Sequence, residues 1–294
     1  MSSNLAKVKK KMSIYAKRRV HNALSGNYGS VFKGRSMDFD DLRAYQYGDD
    51  IKDIDWKATA RSKSTMVRRY VAVRKHNIMI VADAGRGMAA LAPSGEKKSE
   101  LATFAAAVIS YIAEKNGDLV GMTFGDGAGN TRFPLKEKKS HIENFLGKYE
   151  KAVTIESSQS DINSLLTYIT KNFRERMFLF VITDVHGVLQ ISEDILRRLR
   201  VRHEVMAIMV EDVSFTDEKY KNSDVRDITD NSALPRFMRT NRKLRKAEAV
   251  MRENDINKAT HFLKKLGTMT CHISDTDHAI PEIFKMLEEQ KHVR

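Results

Sequence analysis

A single cysteine, Cys271, excludes an internal disulfide, and its place in the apolar run "TMTCHIS" marks it as a small buried hydrophobe in a reducing setting. No stretch approaches the roughly 18 apolar residues that a membrane-crossing helix needs. The strongest apolar run, "MFLFVIT", has only the length of a strand. The first residues, "MSSNLAKVKKKMSIYAKRRV", lack an apolar core followed by small residues for cleavage, so no secretory signal is expected and a cytoplasmic location is. No histidine is spaced with Cys271 as a zinc site requires, and no G-x-S-x-G nucleophile elbow occurs.

Acidic residues are scarce where basic ones concentrate. Residues 1–80 carry 18 Lys and Arg against 7 Asp, a net +11, while the rest of the chain carries 33 against 31. A basic region of this kind suits nucleic acid, anionic lipid or an acidic protein face, and charge alone does not choose among them. Seven of its cations lie between Lys7 and Arg19, on a helix whose apolar stripe is Leu5, Val8, Met12 and Ala16. That stripe rests either on the protein's own domain or on a partner. Tyr15 alone is available there to stack on a base, although seven cations are enough for a phosphate-tracking or lipid-surface role.

What the chain does have, from His76 onward, is an alternation of buried strands and amphipathic helices. "NIMIVAD" ends in Asp83 and resembles a central strand, and Leu101, Phe104, Ala105, Val108, Ile109 and Ile112 then recur at helical spacing. Strands at "DLVGMTF", "TRFPL", "MFLFVITD", "HEVMAIMV" and "TMTCHIS" follow. The predicted helices between them carry Ile142 to Tyr149, Ile162 to Ile169 after a Ser160 N-cap, Glu193 to Arg200, and Leu244 through Met251, Ala259 and Phe262 to Leu266. A last helix carries Ile280, Ile283, Phe284 and Leu287. This order predicts an α/β fold: a Rossmann-like, mainly parallel sheet with helices on both faces over residues 76–294, preceded by a basic N-terminal region, residues 1–75. Ligands of such sheets bind at the C-terminal edge of the strands, where Asp83 and Asp184 would lie. In the N-terminal region, "SGNYGS" and "KGRS" read as turns and "MVRRYVAV" as a strand.

"DLRAYQYGDDIKDIDWKATARS", residues 41–62, holds the densest set of functional groups. Asp49, Asp50, Asp53 and Asp55 suggest a metal cage. An EF-hand loop, however, needs glycine at its sixth position and glutamate at its twelfth, and counting from Asp49 these are Ile54 and Ala60. General acid and base work lacks a neighbouring nucleophile or histidine. The better reading is a structural or partner-contacting motif in which Trp56 and Ile54 bury while Arg43 and Arg61 pair with the aspartates. "GDGAGN" contains G-x-G-x-G but lies between two strands, so it reads as a turn and not as a phosphate loop opening a helix.

The run from Gly26 to Ser62, "GNYGSVFKGRSMDFDDLRAYQYGDDIKDIDWKATARS", resembles the signature of the bacterial family called domain of unknown function fifty-eight. Arg43, Tyr45, Gly48, Asp49, Asp50, Asp55, Trp56 and Arg61 stand at its signature positions. The resemblance implies a von Willebrand factor A-like domain and a role beside AAA+ ATPases of the MoxR type that assemble or activate a client protein. It also implies the short form that lacks the two membrane helices of many relatives. Domains of that fold usually bind Mg²⁺ through D-x-S-x-S, a hydroxyl from a second loop and an aspartate from a third. By position these are Asp83, Ser160 and Asp184, but Gly85 and Gly87 replace both serines and Arg86 adds a cation. A degenerate site with weak or no Mg²⁺ binding is therefore expected. The functional expectation is a non-enzymatic adaptor. The alternatives are a nucleic-acid-binding protein using the basic region, and a hydrolase built on Asp83, Asp184 and the aspartates near Trp56.

Overall fold

The computed structural model describes residues 3–18, 38–62, 64–71, 75–214, 216–220, 223, 225–228 and 231–292. The turns expected at "SGNYGS" and "KGRS", the glycine-rich start of the signature and the side chains of Tyr15 and Ala16 lie outside the described residues. The chain divides into two compact units, Met1–Val31 with Asn77–Arg294, and Phe32–His76.

The elements run, in chain order, α1 (Asn4–Arg18), β1 (Asp38–Ala44), α2 (Trp56–Arg61), β2 (Met66–Val71), β3 (Asn77–Asp83), α3 (Lys98–Lys115), β4 (Leu119–Asp126) and β5 (Gly129–Lys136). They continue with α4 (Lys139–Ala152), α5 (Ile162–Asn172), β6 (Phe178–Asp184), α6 (Val185–Gln190), α7 (Glu193–Arg202), β7 (Glu204–Val210), α8 (Arg236–Thr240), α9 (Arg242–Lys265), β8 (Met269–Ile273) and α10 (Thr276–His292). Two differences from the sequence reading have local causes. The N-cap of α5 is Asp161, whose carboxylate accepts the Ser164 N–H, because the Ser160 hydroxyl is turned toward Asp83. The short α6 went unread, since six residues hold no helical period.

The large unit is built on a six-stranded sheet of order β5-β4-β3-β6-β7-β8. β3, β4, β6, β7 and β8 are parallel, and β5 returns antiparallel beside β4 through the turn at "GDGAGN". Period-2 alternation sends Met79, Val81, Leu179, Val181, Val205, Ala207 and Met209 into one core with α5, α6, α7 and α9. The alternate positions Ile78, Ile80, Phe180 and Ile182 are equally buried, under α3 and α10 on the opposite face. Burial on both faces is why these strands read as continuous apolar runs. On α9 the stripe is one-sided: Ala259 and Leu263 bury, while Leu244 and Met251 stay exposed. Cys271 is buried on β8, and that burial pushes its thiol pKa up.

The stripe of α1 rests on its own unit. Leu5, Val8 and Met12 are buried and α1 packs on α3 and α4. The helix has no acidic residue in its first turn, and Glu143 of α4 supplies that charge from outside by accepting the Leu5 N–H at 2.8 Å and the Asn4 N–H at 3.1 Å. Lys11 ties the other side to α10 through Thr276 at 2.7 Å and Asp277 at 2.8 Å. Lys7, Lys9 and Lys10 remain exposed.

The small unit is a two-stranded antiparallel ribbon of β1 and β2, with the signature between the strands. Gln46 to Asp49 form a tight turn closed by Asp49 N–H to Gln46 C=O at 3.1 Å, and Gly48 sits at φ 103°, a conformation that disfavours other residues. A bridge between Ile54 and Val67, and Met66 N–H donated to the Thr59 hydroxyl at 2.9 Å, join the signature to β2.

Candidate functional site

Both β4 and β6 flank β3, so the chain's direction across the sheet reverses at the C-terminal ends of β3 and β6. That is the place where open α/β sheets bind ligands. Asp83 and Asp184 are the last residues of those two strands. Ser160 is carried to them by a loop stitched on both sides: Arg86 N–H donates to Ser158 C=O at 2.8 Å and Gly127 N–H to Gln159 C=O at 2.9 Å. The three residues expected to form a metal site are thus gathered at one edge.

Asp83 is nearly sealed from solvent, and both its oxygens are engaged. Oδ1 accepts the Gly85 N–H at 2.8 Å, while Oδ2 accepts the hydroxyls of Ser160 at 2.5 Å and Thr183 at 2.8 Å. Its backbone carbonyl accepts the buried Tyr149 hydroxyl at 2.8 Å. Burial raises the Asp83 pKa above the usual carboxylate range, only partly opposed by those hydrogen bonds and supported by the nearby Asp184 charge.

Asp184 caps α6, its Oδ1 accepting the Gly187 N–H at 2.7 Å. Its Oδ2 accepts from the Lys98 ammonium at 2.7 Å, and the same ammonium also donates to Asp212 Oδ1. The Lys98 side chain is 1% exposed, and its backbone N–H is fixed on Ala90 C=O at 2.9 Å. Burial opposes both charges. The Lys98 ammonium still holds Asp184 below the usual carboxylate range, and the two carboxylates hold Lys98 above its ordinary value. Asp212, where burial outweighs the ammonium, is raised.

The glycines that replace the serines differ from each other. A Cβ on Gly85 would lie 2.6 Å from the Ser160 backbone, so the loop closes directly onto Ser160. A Cβ on Gly87 would meet only Asp184 Oδ2, at 3.3 Å. Gly187 is equally confined, because a Cβ there would stand 2.0 Å from Thr183 Oγ1 and break the Thr183 to Asp83 bond.

Lys98 and Asp212 escaped the sequence reading. Lys98 sits in a charged run, "GEKKSE", that reads as solvated. The available signal was its helical phase: three and four residues before Leu101 and Ala102, it occupies the apolar stripe of α3, where a cation needs a buried partner.

The signature aspartates of the small unit are engaged with backbone. Asp49 accepts from Arg43 Nη2 at 2.5 Å and from the Gln46 N–H at 2.9 Å, which together hold its carboxyl below the ordinary range, the Gln46 bond foremost. Asp50 accepts the Lys52 N–H at 3.0 Å, and Asp55 caps α2 through the Lys57 and Ala58 N–H groups at 3.0 Å. Arg61 occupies the exposed last turn of α2, where a cation suits the helix dipole. Ile54 is half-buried. Trp56, expected to bury, is instead 66% exposed at the first position of α2; Tyr47 and Ile51 are also exposed, and Tyr45 is 39% exposed.

The mainly parallel six-stranded sheet, its reversal at β3 and the helices on both its faces define a doubly wound α/β protein. Residues 41–263 match the family described as "Protein of unknown function DUF58", and the chain belongs to that family. Over 209 residues it is 27% identical to the uncharacterized protein Rv1480 of Mycobacterium tuberculosis, a match covering 71% of this chain and 65% of the relative. The chain thus spans slightly less than two thirds of that relative's length. Solved structures similar to it include the conserved hypothetical protein BatB from Bacteroides thetaiotaomicron, at 14% identity and TM-score 0.45, covering 74% of this chain and 99% of that one. The von Willebrand factor A domain of SpRpn10 is similar at 12% identity and TM-score 0.33, covering 54% and 84%. No helix among the described residues is long and apolar enough to cross a membrane.

Proposed function

We propose that this chain is a non-enzymatic adaptor that works with an AAA+ ATPase of the MoxR type in the assembly or activation of a client protein. The observation that carries the reading is the division of labour within the signature. Its aspartates are engaged with Arg43 and with backbone N–H groups, while Trp56, Tyr47 and Ile51 stand exposed on that braced frame. Aromatic residues held on a rigid support are the usual anchors of protein interfaces. At the sheet edge, the Asp83 and Asp184 carboxylates are likewise saturated by internal donors, an arrangement that suits a scaffold better than a turnover site.

The test is capture from native lysate with the full chain as bait, with and without ATP, and identification of the retained proteins by mass spectrometry. An AAA+ ATPase retained by the native chain and lost with the Trp56→Ala/Tyr47→Ala variant supports the reading. No such ATPase in either nucleotide state, or equal retention by the variant, overturns it. A second reading, nucleic-acid binding, rests on the exposed Lys7, Lys9 and Lys10 of α1. It requires affinity for DNA or RNA that falls steeply with salt, as counterion release demands.

A further inference from the structure

We infer that the Lys98 ammonium replaces the divalent cation at the C-terminal edge of the sheet, so that this site is complete without metal. The residues present do not fit a Mg²⁺ ion. Such an ion asks for six oxygens in an octahedron at about 2.0–2.1 Å and keeps several waters. Here the Asp83 oxygens carry three hydrogen bonds and Asp184 Oδ1 a fourth, and Asp184 Oδ2 holds Lys98 at 2.7 Å. Among the described residues, no group of three or more His, Cys, Asp and Glu side chains is arranged to hold a metal.

Charge leads to the same conclusion. The ammonium is sealed, with 1% of its side chain exposed, and lies between Asp184 and Asp212. A dication seated on Asp184 would meet a fixed positive charge at contact distance in a dry site, where repulsion is poorly screened. It would have to displace Lys98 from Asp184, leaving the buried ammonium with Asp212 as its one remaining carboxylate. The loop geometry accommodates the same solution: Gly85 closes onto Ser160 where a serine ligand would have to stand, and Lys98 is anchored through its own N–H on Ala90. Gly85, Lys98 and Asp212 therefore form one arrangement in which a side chain supplies the positive charge.

The consequence for recognition is specific. A partner carboxylate cannot complete a metal's coordination sphere here, nor reach the sealed ammonium. Engagement at this edge is therefore indifferent to Mg²⁺ and to chelators.

The test compares melting temperatures of the full chain in excess MgCl₂ and excess EDTA, with Mn²⁺ binding followed by paramagnetic resonance. The native chain is expected to melt at the same temperature in both media and to leave the Mn²⁺ spectrum unchanged. Lys98→Ala vacates the place between Asp184 and Asp212, and one or two carboxylates with waters are enough for a weak Mg²⁺ site. That variant is expected to melt lower in EDTA and to recover part of the loss in MgCl₂. A rise in the native melting temperature with Mg²⁺ that Asp184→Asn abolishes overturns the inference. So does a folded Lys98→Ala chain that melts identically in both media. If Lys98→Ala does not fold, the native chain and Asp184→Asn still decide the matter.

Discussion

Gly85 and Ser160 approach so closely that a Cβ on Gly85 would lie 2.6 Å from both the Ser160 N and Cα. Restoring serine at position 85 therefore does not restore a ligand. Gly85→Ser is expected to destabilise the fold by about 1–3 kcal/mol, the usual penalty for overpacking. Gly87→Ser, whose Cβ meets only the Asp184 carboxylate, is expected to cost clearly less. Urea unfolding of the two variants side by side checks the ranking, and a Gly85→Ser protein as stable as the native one would refute the packing argument.

The sheet edge also predicts an acid limb. Asp184 is held below its ordinary pKa, so its pairing contributes stability that is present above the unfolded value of about 3.9 and is lost as pH falls through the folded value. Asp83 is raised by burial and has the opposite sign, eroding stability as pH rises from about 3.9 through its folded value. Asp184→Asn is expected to be less stable than native at neutral pH and to lack the loss below about pH 4. Denaturant midpoints measured across pH test this. An unchanged acid slope in the variant would remove Asp184 from the account.

Glu143 is the external cap of α1. Glu143→Ala leaves the Asn4 and Leu5 N–H groups without their carboxylate and is expected to weaken α1 docking by about 1 kcal/mol. Hydrogen exchange of the amides of Val8 to Met12 should accelerate several-fold while that of β3 and β6 stays constant. Equal protection of α1 in both proteins would contradict the cap.

Within the signature, the exposed and the bonded residues should separate by phenotype. Asp55→Ala removes the cap of α2 and is expected to cost about 1 kcal/mol. Trp56→Ala removes an exposed ring and is expected to change stability by no more than about 0.5 kcal/mol. Thermal unfolding distinguishes them; a Trp56→Ala loss exceeding that of Asp55→Ala would mean that the ring is structural.

The sheet was legible because strands buried on both faces must be apolar throughout, and "NIMIVAD", "MFLFVITD" and "HEVMAIMV" satisfy that locally. β1 was not, since "DFDDLRA" is rich in aspartate and its pairing with β2 is a non-local fact. Asp83, Ser160 and Asp184 could be placed by position along the chain. Lys98 and Asp212 could not, because Lys98 meets Asp184 across 86 residues and Asp212 across 114, and only the tertiary fold brings all three together. Trp56 was misjudged because indole burial was inferred from residue type, whereas the ring is 66% exposed at the start of α2.

The strand order carries a consequence for synthesis. β3 is one of the two central strands, yet its partner on one side is β6, which places Phe178 against Ile78. During translation at roughly 5–20 residues per second, the apolar β3 therefore keeps one open edge for several seconds after its β4 partner has emerged. An unpaired apolar strand edge is a template for aggregation, so the nascent chain is most vulnerable before β6 leaves the ribosome. Cells limited in nascent-chain chaperones should lose this protein to inclusion bodies, whereas the finished sheet has only β5 and the short β8 at its edges.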